Sequence, residues 1–300
     1  MFSNKFIFAI GAQKSGTTTL HNLLLSNKRI NLPKNKETHF FSHNNVYSKG
    51  FDWYANQFTR TDGILCEVDP SYLFFSESAK KIKAAVEDPK FIVIFRKPLD
   101  RAFSHYLMSC YRGYEDLSFL GALEIEKERL KNDNELFSFI NHSYLKRGNY
   151  AEQLSVYLEL FDRSNFLFIK FEDLITNENH NVINSICEFI GMKNDFNIGG
   201  MPESNKKRKV KSKLIRDFLY KDSSVKKMLK SIFPSIADKM RIKGIIDSLN
   251  STHYNKIDSA NQSKEIMEKI PEKYFIWSNK QSRLLSSLTG LELSDWEYRR

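Results

Sequence analysis

Phe6-Ile7-Phe8-Ala9-Ile10-Gly11-Ala12-Gln13-Lys14-Ser15-Gly16-Thr17-Thr18 decides how the rest of this chain is read. An apolar run ends at Gly11. A short turn follows that holds Lys14 and Gly16, and then come hydroxyl residues. Leu20, Leu23 and Leu24 recur at helical spacing. The order is strand, loop, helix N-terminus. Glycines let the backbone turn tightly and present its N–H groups, and the start of a helix adds partial positive charge. The segment therefore reads as a phosphate cradle with a lysine inside it. Gly11 and Gly16 have the spacing of a nucleoside-triphosphate P-loop, but Thr17 occupies the place of that motif's lysine. The lysine sits two residues before Gly16, which argues against Mg²⁺-nucleotide chemistry.

A second, independent element points the same way. The apolar run Phe91-Ile92-Val93-Ile94-Phe95 ends in Arg96, followed by Pro98 and a helical pattern carrying Arg101 and Ser104. Proline suits the first turn of a helix. An arginine at a strand end and a serine on the next helix can serve one phosphate, the first with a planar fork of donors and the second with a hydroxyl.

Around these elements, buried strands are expected at residues 6–10, 64–68, 91–95 and 166–169. Helices are expected near 17–27, 77–87, 98–112, 117–132, 149–161 and 180–191. Alternation of this kind predicts an α/β fold, a P-loop-like central parallel sheet flanked by helices, with a helical C-terminal part carrying Leu284, Leu285 and Leu288. Ligands in such sheets bind beyond the carboxyl ends of the strands. The chain reads as a single domain over residues 1–300. The stretch 205–216 holds a basic run with no acidic residue, an insertion or lid candidate at about 200–216.

Composition narrows the function. Hydrophobic residues make up 41% of the chain, enough for a packed core and against global disorder. The formal charge of +10 favours an anionic partner without choosing among nucleotide, glycan, nucleic acid and membrane surface. Cys66, Cys110 and Cys187 form no C-x-x-C pair, so reduced thiols are expected rather than a disulfide framework or zinc site. Phe6–Ile10 is too short for a signal-peptide core, and no run is long enough to span a bilayer. With Met1 as the natural start, a cytoplasmic protein is expected.

Lys14-Ser15-Gly16-Thr17-Thr18 resembles the K-[ST]-G-T-[ST] loop of sulfotransferases that use 3′-phosphoadenosine 5′-phosphosulfate (PAPS). Arg96 and Ser104, eight positions apart, resemble the 3′-phosphate site of that family. Lys36-Glu37-Thr38-His39-Phe40-Phe41 is similar to the K-E-x-H-F-F segment of the heparan sulfate, or glycan, type. Phe51-Asp52-Trp53-Tyr54, Glu67-Val68-Asp69-Pro70-Ser71-Tyr72, Gly148 with Tyr150, and Ser294-Asp295-Trp296 resemble further segments of that type. The likeness is strongest over residues 6–111 and weak over about 113–145 and 200–265.

The resemblance implies a transfer of SO₃ from PAPS to a hydroxyl or amine, most naturally of a carbohydrate, with PAP as the other product and no metal. Gln13, Lys14, Ser15, Gly16, Thr17 and Thr18 would hold the 5′-phosphate, and Lys14 would stabilise the leaving oxygen. Glu37 is the expected base, with His39 the competing one because imidazole titrates nearest neutrality. Lys206, Lys207 and Arg208 in the basic run would close over the 3′-phosphate, bind an anionic acceptor, or lie solvated on the surface. Nucleic-acid binding is not expected, since the phosphate motifs already account for the charge. The alternatives are the same chemistry on a lipid, acyl chain or small alcohol, a P-loop nucleotide kinase, and a non-catalytic nucleotide-binding protein.

Overall fold

In the computed structural model the run Phe6–Gly11 is β1, with every residue buried. A strand covered on both faces needs apolar side chains on both, which is why this run does not alternate with polar residues. The structure describes residues 5–60, 63–132, 136–176, 180–196, 208–210, 212–220, 247, 250–253 and 263–299. With β2 (Ile30–Asn31), β3 (Ile64–Val68), β4 (Lys90–Phe95) and β5 (Phe166–Lys170), β1 forms a parallel sheet in the order β2-β3-β1-β4-β5. Phe8 is level with Glu67 of β3 and with Phe91 of β4. The chain runs from β1 to one side and then crosses to β4 on the other, so the sheet's switch point is at the carboxyl end of β1, where such sheets bind ligands.

Alternate residues of β1 feed two cores. Phe6, Phe8 and Ile10 pack with Phe40, Phe41, Tyr54, Tyr72 and Phe91 on one face. Ile7 and Ala9 pack with Leu20, Leu23, Leu24, Ile183 and Ile186 on the other. Helices flank both faces, as the α/β reading requires.

The four expected strands are present within a residue of the expected bounds, and the six expected helices within three. Thr17–Leu25, Glu77–Ala85, Pro98–Arg112 and His180–Ile190 agree closely. Phe119–Asn132 begins two residues later than expected, and Tyr150–Leu158 ends three earlier. The two-residue β2 and the short helices Asn44–Tyr47, Gly50–Ala55 and Ser71–Phe74 had no periodicity long enough to register in the sequence.

Contacts divide the chain into two units. One comprises residues 1–101, 146–204 and 275–300 and holds the sheet; the other comprises 102–145 and 205–274. The second contains Glu115, a buried carboxylate that pairs with Arg129 and accepts a hydrogen bond from Tyr144 Oη at 2.9 Å. Within it Arg208–Val210 (β6) pairs antiparallel with Ser251–His253 (β7), and Lys213–Tyr220 is helical. The C-terminal helix runs from Glu272 to Thr289. Among the described residues no helix is long and apolar enough to cross a membrane.

Candidate active site

The loop after β1 is built by two residues in the left-handed region, Lys14 (φ 70°) and Gly16 (φ 87°). Gly16 caps the helix Thr17–Leu25, whose first turn carries no acidic residue and no side-chain cap. The N–H groups of that turn therefore remain available to an anion, and the helix dipole favours one. Arg96, at the end of β4, donates from Nη1 to the Lys14 carbonyl at 3.3 Å and lies over the Phe171 ring at 4.7 Å. The second strand end thus fixes the loop on the first. Tyr150 donates its hydroxyl to the Arg96 carbonyl at 2.8 Å and lies beside the buried Ser15. Burial pushes the Tyr150 phenol up to about 12, so it is a donor at any ordinary pH. Gln13 Oε1 is buried with no hydrogen-bond partner, an orphan of the kind a bound ligand satisfies.

The next strand end holds a second loop. Glu37 (φ 63°) and His39 (φ 56°) both adopt left-handed backbone, with Thr38 between them. That conformation costs a non-glycine residue on the order of 1–2 kcal/mol and persists where neighbours enforce it. Here β3 and the residues just beyond it do so. Glu67 accepts hydrogen bonds from Thr38 N–H (3.1 Å), Thr38 Oγ1 (2.5 Å), Tyr54 Oη (2.5 Å) and Tyr72 Oη (2.8 Å). Asp69 accepts from His39 N–H at 2.8 Å and from Ser71 N–H at 2.9 Å. Its Oδ2 also stands 3.0 Å from His39 Nδ1, in ion-pair range though off the line of a straight hydrogen bond. Glu37 itself pairs with the adjacent Lys36.

These contacts set the charges. Burial and the neighbouring Asp69 push Glu67 up to about 7, against the pull of its donors. Burial would raise Asp69 too, but His39 and the backbone N–H groups outweigh it and hold Asp69 below the usual carboxylate range. Burial alone would lower His39; the Asp69 contact, with Glu37 and Glu67 adding to it, raises it instead. His43, its ring 4.6 Å from that of His39, is pulled down to about 4 by burial and by His39. The two neighbouring rings are thus shifted in opposite directions, His39 up and His43 down.

Two buried arginines join the loops. Arg101 is fully buried, and Arg147 is 3% exposed with its guanidinium 3.9 Å from the Phe74 ring. Burial and the like charge of Arg101 pull Arg147 down to about 9, while Asp69 and Glu37 hold it up. Arg101 also acts on Tyr150, the neighbour of Ser15. Burial, with Lys36 adding to it, lowers His21 of the helix Thr17–Leu25 to about 4. Lys14, Arg96, Glu37 and His39 thus belong to one cluster, at the carboxyl ends of β1, β3 and β4.

The sequence-predicted residues fare unequally. Gln13, Lys14, Ser15, Gly16, Thr17, Thr18 and Arg96 form the first loop and its clamp, and Glu37 and His39 the second. Ser104 is half-buried on the helix Pro98–Arg112 and falls in the second unit, whereas Arg96 is in the first. Lys206 and Lys207 lie outside the described residues, and Arg208 is placed only by its backbone in β6. Glu67, Asp69 and Arg147 were not anticipated in these roles. A Glu-x-Asp-Pro sequence at a strand end was the available signal for the first two. Nothing local marks Arg147 as buried. Among the described residues no group of three or more His, Cys, Asp or Glu is placed to hold a metal ion.

The family model of the sulfotransferase domain matches residues 5–270. The chain is 29% identical over 194 residues to human heparan sulfate glucosamine 3-O-sulfotransferase 6, covering 61% of this chain and 51% of that protein. It is 31% identical over 188 residues to human heparan sulfate glucosamine 3-O-sulfotransferase 3B1, covering 61% and 45%. It therefore spans about half the length of these curated relatives. Among solved structures, a sulfotransferase from Alicyclobacillus acidocaldarius has the same fold, with TM-score 0.66, 24% identity, and coverage of 98% of this chain and 99% of that one.

Proposed function

The chain belongs to the sulfotransferase domain family, and from that premise we propose that it moves a sulfuryl group from PAPS to a hydroxyl or amine of a carbohydrate. The observation that carries the reading is the convergence of an uncapped helix N-terminus, clamped by Arg96, with a carboxylate–imidazole loop held rigid by buried acids. The relatives' action on heparan sulfate supports a carbohydrate acceptor.

Each residue has a task in such a transfer. The N–H groups of Gly16 and Thr17, with the hydroxyls of Ser15, Thr17 and Thr18, hold the 5′-phosphate at the helix start. Arg96 keeps that loop in shape and serves the 3′-phosphate. Glu37 takes the proton of the acceptor as the acceptor oxygen or nitrogen bonds to sulfur. The bond from sulfur to the bridging oxygen breaks, its electron pair stays on the departing phosphate, and Lys14 balances that charge. Lysine and helix dipole supply the positive charge that Mg²⁺ supplies in a kinase.

The test is release of PAP from PAPS in the presence of glycan acceptors, with and without EDTA. Acceptor-dependent release that survives chelation is expected. Turnover of ATP that stops on chelation and returns with Mg²⁺ would support a kinase instead.

A further inference from the structure

Asp69 makes more contacts with one functional residue than any packing role requires. It is fully buried, its Oδ2 takes the backbone N–H of His39 at 2.8 Å, and the same oxygen is 3.0 Å from the ring Nδ1 of His39. Its other oxygen takes the Ser71 N–H at 2.9 Å, which fixes the carboxylate's orientation. The His39 ring is anchored at one edge, while its side chain remains 33% exposed. A carboxylate that holds one imidazole nitrogen fixes the ring's orientation and tautomer and favours its charged form.

We propose that Asp69 is a positioning residue that holds His39 as an imidazolium, so that His39 serves the transferring sulfuryl group as a fixed hydrogen-bond donor and not as the proton acceptor. The proposal rests on the sulfotransferase reading above and deepens it, for it divides labour within one loop. Glu37, two residues away, takes the acceptor's proton. His39 keeps its own proton throughout and donates a hydrogen bond to an oxygen of the SO₃ group while the sulfur–phosphate bond opens. Electrons balance without it: the acceptor's lone pair forms the new bond to sulfur, and the old bond's pair leaves with the phosphate.

The surroundings agree. The groups facing His39 are Glu37 on its own loop, Glu67 on β3, Asp69 beyond β3 and His43 at the start of the next helix. Three of these four are carboxyls that favour its charge. Burial and the neighbouring His39 lower His43, and Arg147 and Lys81 add to that. Two adjacent imidazoles, 4.6 Å apart, are thus shifted in opposite directions by their surroundings.

The experiment is the pH profile of kcat in wild type, Asp69→Asn and His39→Gln, with NMR titration of the His39 ring and thermal melts alongside. Asn keeps an oxygen for the Ser71 N–H, so Asp69→Asn should stay folded. In wild type, kcat should fall on the alkaline side as His39 loses its proton. In Asp69→Asn that limb, and the NMR titration of His39, should move acidward together by about 1 unit or more. His39→Gln keeps a neutral donor, so residual activity should lack the limb, and adding Asp69→Asn to it should cost little more. A limb of opposite sense, with activity rising as His39 deprotonates, would make His39 the base and overturn the proposal. So would a His39 titration that ignores Asp69→Asn. Failure of all variants and wild type to use PAPS would refute the sulfotransferase reading, yet the NMR titration would still report whether Asp69 holds His39 charged.

Discussion

At the scale of single residues, the distinction that matters is between Glu37 and His39. They share a loop and a left-handed backbone, but Glu37 pairs with the half-buried Lys36 while His39 stands against a fully buried carboxylate. Glu37→Gln removes the basic carboxylate and keeps its shape. Sulfation should fall by roughly 10²–10⁴-fold, the usual contribution of a general base. PAP affinity should stay near that of wild type, because the proposed role of Glu37 is toward the acceptor and not the nucleotide. Lys14→Ala should instead lower turnover and weaken PAP binding together, and His39→Asn should cost less than Glu37→Gln. Steady-state kinetics with calorimetric PAP titration checks this. If His39→Asn abolished transfer and Glu37→Gln kept most of it, the base would be His39.

At the scale of elements, the site depends on strand ends and the turns that leave them. Arg96 closes β4 and holds the carbonyl of Lys14 in the turn after β1. Arg96→Ala should therefore weaken PAP binding by roughly 1.5–3 kcal/mol, the range for a hydrogen bond to a charged group. AMP, which lacks the 3′-phosphate and uses only the loop that Arg96 clamps, should lose less affinity than PAP in the variant. Gly16 is the other control point. Its φ is 87°, and a Cβ there would meet the Phe171 ring at 3.0 Å. Gly16→Ala should lower stability by about 1–2 kcal/mol through backbone strain and disturb the anion site as well. Chemical denaturation and PAP titration would register the two losses separately.

At the scale of the whole molecule, ligand and protons both act on stability. PAP should raise the melting temperature through mass action, and ATP with Mg²⁺ should do so much less. The pH dependence has two opposing parts. Glu67 has its folded pKa raised from 4.5 to about 7, so its contribution is fully present below pH 4.5 and is lost as pH rises through about 7. His21 and His43 are lowered from 6.5 to about 4, so theirs is present above pH 6.5 and is lost as pH falls through about 4. Comparing variants separates them. The melting temperature of Glu67→Gln relative to wild type should rise between pH 4.5 and 7. A difference that stays flat or falls over that interval would mean Glu67 is ionised in the folded protein.

The sequence by itself determined the sheet strands, the cradle and the family resemblance, because each rests on local order. An apolar run buried on both faces makes β1, a glycine-rich turn follows, and a helix start comes next. Arg96 was legible for the same reason, lying directly after a strand. What only the tertiary structure decided is who touches whom across long stretches of chain. Glu67 and Asp69 reach the loop at Thr38 and His39 about thirty positions away, and Arg147 is drawn in beside Asp69 and Glu37 from still farther. A buried charge takes its properties from its neighbours: the desolvation that raises Glu67 and the ion pair that lowers Asp69 act on two carboxyls two residues apart, and no sequence pattern tells them apart.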